Sequence, residues 1–153
     1  IAEGLRRFGG LPHRLQPVAE INGRIFYDDS KSTTPESTQA ALLAMDRPAW
    51  LLAGGYGKGI DLSPLVRTIV ATARGAIFFG ATGERLERAA AELSPQFAAH
   101  RVSTLDDAVA RVWAVAKAGD AVLLSPACAS FDQFLDYAQR GERFVELVRA
   151  LAL

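Results

Sequence analysis

Cysteine, histidine and net charge are all scarce in this chain, and each shortage removes a class of function. A single cysteine, Cys128, excludes an internal disulfide framework and fits a reducing, cytoplasmic compartment. His13 and His100 are the only histidines, too few and too scattered to build a metal site with that one thiol, so no metal ligands are assigned. Seventeen Lys plus Arg against seventeen Asp plus Glu leave no net charge, which removes the usual electrostatic case for nucleic acid or an anionic membrane as partner. No apolar run approaches the roughly 18 residues needed to cross a bilayer. What is present is ordinary for one globular domain: 153 residues, half of them hydrophobic and 22% charged, enough to bury a core without staples. The first ten residues, IAEGLRRFGG, read as a helix tail stopped by glycines, so residues 1–9 are expected to close a preceding domain and 10–153 to form this one.

Two short β-like runs, Val18 to Ile21 and Arg24 to Asp28, flank Asn22-Gly23, the strongest short hairpin signal because both positions tolerate positive φ. Strands and helices then alternate. Thr34 and Pro35 read as N-cap and first residue of a helix to about Met45. Trp50 to Ala53, Ala76 to Phe79, Ala98 to Val102 and Ala121 to Leu124 read as strands. Between them lie helices from about Leu62 to Thr72, from a Thr82 cap to Leu93, and from Thr104 to about Ala118. Ser130 followed by Gln133 has capping-box spacing, which predicts a last helix from Phe131 to about Leu151. This alternation predicts a Rossmann-like α/β domain: a mostly parallel sheet, helices on both faces and an antiparallel edge hairpin.

The polar residues collect where strands end. The loop Asp28 to Pro35 holds two carboxylates, a lysine and four hydroxyls. Lys31 there is unexplained by capping, since a cation before a helix N-terminus is unfavourable unless an anion neutralises it. The glycine turn 54–59 carries Lys58 but fails as a phosphate loop, because Leu52 stands at the required first glycine and Gly59 follows the lysine. It also fails as a dinucleotide fingerprint, with Ile60 at the third glycine position. The third loop, Ser125 to Ser130, ends in the hydroxyl of Ser130, and Cys128 in it reads as a small buried hydrophobe. His100 reads as a surface residue after a strand. In a parallel sheet these three loops share one edge, so two lysines, hydroxyls and a helix N-terminus would converge on a small dicarboxylate, with no arginine fork in the loops themselves.

The motifs GLPHR (10–14), DDSKSTTPEST (28–38), LLAGGYGKG (51–59), LLSPACASFDQF (123–134) and QRGERF (139–144) together resemble the Mur ligases of peptidoglycan synthesis, especially those that add D-glutamate. The resemblance implies the C-terminal domain of a three-domain, ATP-dependent amide-forming ligase, with D-glutamate, ATP and UDP-N-acetylmuramoyl-L-alanine as substrates. The P-loop and Mg²⁺ site would belong to the central domain, residues 9–16 would form a hinge, and the domain alone would be inactive. Carried over by motif, Lys31, Thr33, Lys58 and Ser130 would hold the D-glutamate carboxylates, and Phe131 and Tyr137 would line the same pocket. His13, Arg14 and Asp29 match positions that touch ATP, and no residue of this domain is assigned as catalytic. Two other readings remain open: another Mur-type or folylpolyglutamate-type amino-acid ligase, and a non-catalytic α/β ligand-binding module.

Overall fold

The computed structural model describes residues 10–57 and 59–153. The expectation for residues 1–9 and the place of Lys58 lie outside the described residues. Six strands form one sheet: β1 (Gln16–Ile21), β2 (Arg24–Asp28), β3 (Ala49–Gly54), β4 (Gly75–Phe79), β5 (Ala98–Arg101) and β6 (Ala121–Leu124). Their order is β1-β2-β6-β3-β4-β5, and every pairing is parallel except the β1–β2 hairpin. The Asn22-Gly23 turn has φ of 50° and 78°, the two positive values that suit a hairpin to the right-handed twist of its strands.

Among the described residues five helices cover the sheet: α1 (Pro35–Leu43), α2 (Ser63–Thr72), α3 (Gly83–Leu93), α4 (Leu105–Val115) and α5 (Tyr137–Leu151). Side chains alternate across each strand, so β3 sends Trp50 and Leu52 to one face and Leu51 and Ala53 to the other. The first pair packs with Leu105, Val109 and Val112 of α4 and Phe144 and Val148 of α5. The second packs with Leu42 of α1, Leu65 and Ile69 of α2 and Leu86 of α3. Strands β3, β4 and β6 are buried on both faces, which is why they read as continuous apolar runs.

Several expected boundaries move. Helix α5 opens at Tyr137 rather than Phe131, because Asp136 is the working cap: its carboxylate accepts from Gln139 N at 2.8 Å. The Ser130–Gln133 capping box does not form. Gln133 instead donates to the Ser103 carbonyl at 2.7 Å and accepts from Leu105 N, closing the front of α4. Helix α4 stops at Val115, short of Ala118, where Ala116 turns extended and its carbonyl accepts from Arg24 Nε at 2.8 Å. Helix α1 ends at Leu43, before Met45, in a tightened last turn with Met45 N on the Leu42 carbonyl. Thr82 precedes α3 without capping it, since its hydroxyl accepts from Gly55 N at 3.1 Å. His100 lies within β5, half-buried, with its ring tilted 6.1 Å from that of Trp50.

Candidate functional site

β6 lies between β2 and β3, so the loops leaving all three emerge side by side at the carboxyl edge. The chain after β2 and β3 turns to the face of α1 and α2, whereas that after β6 turns to the face of α5. Such a reversal opens a crevice at strand ends, the usual ligand position in open α/β sheets. Backbone bonds stitch the loops together: Ala127 N to the Ser32 carbonyl (2.9 Å), Gly54 N to Pro126 (3.0 Å) and Tyr56 N to Ala129 (2.8 Å). The last approach requires Gly55, since a Cβ there would meet the Ala129 carbonyl at 2.4 Å.

The first loop carries two buried carboxylates with different duties. Asp28 Oδ2 lies 2.6 Å from His13 Nδ1, and Asp28 Oδ1 accepts from Ser30 N at 3.0 Å. Gly141 of α5 packs directly on this pair; a Cβ there would stand 2.2 Å from His13 Nδ1 and 2.9 Å from Asp28 Oδ2. Asp29 accepts from Leu15 N (3.0 Å) through Oδ1 and from the Ser32 and Ser125 hydroxyls (2.5 and 2.7 Å) through Oδ2. Burial pushes the Asp29 carboxyl above the ordinary carboxylate value, with these donors offsetting part of that rise. Asp29 therefore braces the turn that carries His13 and Arg14, where His13 and Leu15 hold left-handed φ of 63° and 42°. Arg14 is exposed.

Lys31 and Tyr137 meet at the crevice, with the ammonium 5.9 Å from the ring centroid, within cation–π range. The His13 ring stands edge-on to the same tyrosine at 6.2 Å, and Lys31 N donates to the His13 carbonyl at 2.9 Å. Thr33 follows half-buried in the same turn, its N–H on the Lys31 carbonyl. Phe131 projects into solvent, 67% exposed. Ser130 is the unusual member: it is 2% exposed, and its hydroxyl has no hydrogen-bond partner among the described residues. A buried, unsatisfied hydroxyl costs about 1–3 kcal/mol, so a native fold keeps one where something else supplies the partner. Among the described residues no cluster of three or more His, Cys, Asp or Glu could hold a metal ion.

Arg140 is a site-supporting residue that sequence reasoning passed over. It sits on the first turns of α5, fully buried beneath the loops. Its Nε and Nη2 donate to the Ser30 hydroxyl (2.9 Å) and carbonyl (2.7 Å), and its Nη1 donates to the Cys128 carbonyl (3.0 Å). The Ser30 hydroxyl in turn donates to the Tyr137 carbonyl at 2.7 Å. Its one sequence signal was the motif QRGERF, from which no role could be read.

Residues 13–128 match the family model described as Mur ligase, glutamate ligase domain. The UDP-N-acetylmuramoylalanine–D-glutamate ligase of Thiobacillus denitrificans is 46% identical over 153 residues, covering 99% of this chain and 32% of the relative. The ligase of the same name from Nitrosospira multiformis is 43% identical over 151 residues, again 99% of this chain and 32% of the relative. The chain thus spans about a third of the length of these relatives. Among solved structures, UDP-N-acetylmuramate-alanine ligase from Thermotoga maritima superposes with a TM-score of 0.67 at 14% identity, over 97% of this chain and 33% of that one. E. coli FolC in complex with ADP gives 0.63 at 18% identity, over 92% and 32%. With its sheet order, its loop motifs and these matches in agreement, the chain belongs to the Mur ligase glutamate-ligase-domain family.

Proposed function

We propose that this chain is the acceptor-binding domain of an ATP-dependent ligase that joins D-glutamate to UDP-N-acetylmuramoyl-L-alanine in the cytoplasm. The observation that carries this reading is the buried hydroxyl of Ser130, without a hydrogen-bond partner among the described residues, on the loop beside the one that presents Lys31. A carboxylate is the acceptor such a donor calls for, and Lys31 adds the complementary charge. Lys58 would supply the second cation, and Thr33 a further hydroxyl. Tyr137 would line the pocket wall, whereas Phe131, which projects into solvent, would meet the ligand only from the open side. The relatives at 43–46% identity, named as D-glutamate ligases, support the choice of acceptor; the folds, shared with FolC, do not distinguish it.

Amide formation from an acyl phosphate breaks the carbonyl carbon–oxygen bond to phosphate and forms a carbon–nitrogen bond to the amine, which loses a proton. Anchoring both carboxylates of glutamate leaves that amine as its free end. No side chain need act as nucleophile, and orientation can supply ~7–11 kcal/mol of the barrier reduction. Toward the nucleotide, His13 is held through Nδ1 and Arg14 is exposed, so both suit contact with ATP across the edge. Asp29 acts there by bracing their turn. Mg²⁺ and the triphosphate would be held mainly by a preceding domain.

The test is acceptor choice by the full-length ligase, read as ADP release with D-glutamate, L-lysine or diaminopimelate. D-glutamate is expected to be preferred, and Ser130→Ala to raise its KM about tenfold, the worth of a charge-assisted hydrogen bond. Residues 1–153 alone are expected to form no amide. Preference for a diamino acid, or an unchanged KM in Ser130→Ala, would overturn the assignment.

A further inference from the structure

Resting on that functional reading, we propose that Arg140 is the positioning residue of the acceptor pocket, fixing the separation between the Lys31 turn and the Ser130 turn through its guanidinium fork. Its bonds run to both walls. Two nitrogens hold Ser30, next to Lys31, and the third holds Cys128, two residues before Ser130. Through the Ser30 hydroxyl the same group reaches the Tyr137 carbonyl, at the start of α5. Every side chain placed at the acceptor end of the first and third loops is therefore within three residues of an Arg140 bond or of its relay.

Core packing alone does not account for an arginine here. Arg140 is fully buried, and among the described residues it forms no ion pair. Burial pushes its guanidinium down to about 10, with Cys128, Asp132 and Asp28 only partly offsetting this through space. Burying a cation without a carboxylate is costly. A methionine or leucine would fill the same volume without that cost. The arrangement is explained if the planar fork is needed to meet three acceptors on two loops at once, a task a single ammonium cannot perform with the same geometry. The positive charge, only partly compensated, would then lie under a pocket that receives a dianion, which favours a dicarboxylate acceptor.

The nucleotide end has tethers of its own beside the backbone bonds it shares with Ser30 and Lys31. His13 is held by Asp28, and the Leu15 turn by Asp29, with no bond to Arg140 in either. The two ends should therefore respond differently to the same substitution. In the full-length ligase, Arg140→Lys keeps the charge and loses the fork. It is expected to raise the KM for D-glutamate about tenfold or more while leaving the KM for ATP within about twofold, since small misplacements of bound groups cost rate and affinity steeply. Ser30→Ala removes the hydroxyl relay with little change in volume, and is expected to shift the D-glutamate KM the same way by about threefold. Thermal unfolding of each variant is measured alongside. A folded Arg140→Lys enzyme with wild-type KM for D-glutamate would overturn the proposal. So would equal rises in both KM values, the signature of general loosening. If Arg140→Lys fails to fold, an unchanged D-glutamate KM in Ser30→Ala overturns it instead. A wild-type enzyme that prefers another acceptor would refute the functional reading, and the Arg140 variants would then be judged on that acceptor's KM.

Discussion

Gly141→Ala pits a local gain against a tertiary loss, and the structure decides which wins. Gly141 lies inside helix α5, where replacing glycine by alanine ordinarily stabilises by about 1 kcal/mol. Here the new methyl would sit 2.2 Å from His13 Nδ1 and 2.9 Å from Asp28 Oδ2. The imidazole is the part that can move, and moving it breaks the 2.6 Å bond to Asp28. A hydrogen bond to a charged group contributes about 1.5–3 kcal/mol, and Asp28, fully buried, would keep only its Ser30 N–H partner. The loss exceeds the gain, so a net destabilisation of about 0.5–2 kcal/mol is expected. For a domain of this size that lowers Tm by roughly 1–8 °C. Differential scanning calorimetry and urea titration provide the measurement, and in the full-length ligase the KM for ATP should rise as His13 is displaced. The same substitution in a His13→Ala background has little left to strike, and should be neutral or stabilising there. A Tm increase of 2–4 °C in the single variant, the propensity effect alone, would refute the reasoning.

Gly54 offers a harsher case: its φ is 132°, and a Cβ would lie 1.9 Å from the Phe79 carbonyl across the parallel pair. Gly54→Ala should therefore cost more than about 3 kcal/mol in urea titration, since strain and overlap add and β4 cannot yield without opening the sheet. Asp29 gives a pH signature. Its carboxyl is raised by burial above 3.8, so the folded state holds the proton more tightly than the unfolded one. Its contribution to stability is complete below pH 3.8 and is lost as pH rises through the elevated folded value. Asp29→Asn should remove that component, so the stability of wild type relative to the variant should fall across this window. A pH-independent difference between the two would contradict the burial argument.

The sheet was legible because its signals are local and redundant. Apolar runs of four to six residues alternated with helical spacing, and Asn22-Gly23, Thr34-Pro35 and Thr104-Asp107 each worked where they stood, with Thr34 and Thr104 accepting from Ser37 and Asp107 N–H groups. The start of α5 was misread because two capping signals of equal spacing compete six residues apart, Ser130–Gln133 and Asp136–Gln139. Local rules cannot rank them. The tie is broken by Ser103 and Leu105, which recruit the Gln133 carboxamide across 28–30 residues of sequence. Thr82 went the same way, its hydroxyl claimed by Gly55. Arg140 escaped notice for a related reason: a helix residue one turn beyond the site motif carries no pattern that announces burial, and its partners lie 12 and 110 residues away.

The misread helix changes what holds a ligand at this edge. A helix opening at Ser130 would have offered its free N–H groups, a site general to any anion. In the structure the Gln133 and Phe134 N–H groups are spent on the Ser130 carbonyl. On the proposed reading, recognition would fall instead to individual side chains, the Ser130 hydroxyl and the Lys31 ammonium, on loops joined from below by Arg140. Such a site discriminates by geometry, because each donor occupies one place and cannot follow a ligand of different length. The loop from Asp28 to Thr33 also serves both halves of the edge, with Asp28 and Asp29 facing the His13 turn, Asp29 N bonded to Leu124 of β6, and Ser30 tied to α5. On that reading, acceptor and nucleotide groups would be set relative to one another by a span of six residues. For a reaction whose difficulty is chiefly alignment, that shared loop is the element whose rigidity should matter most.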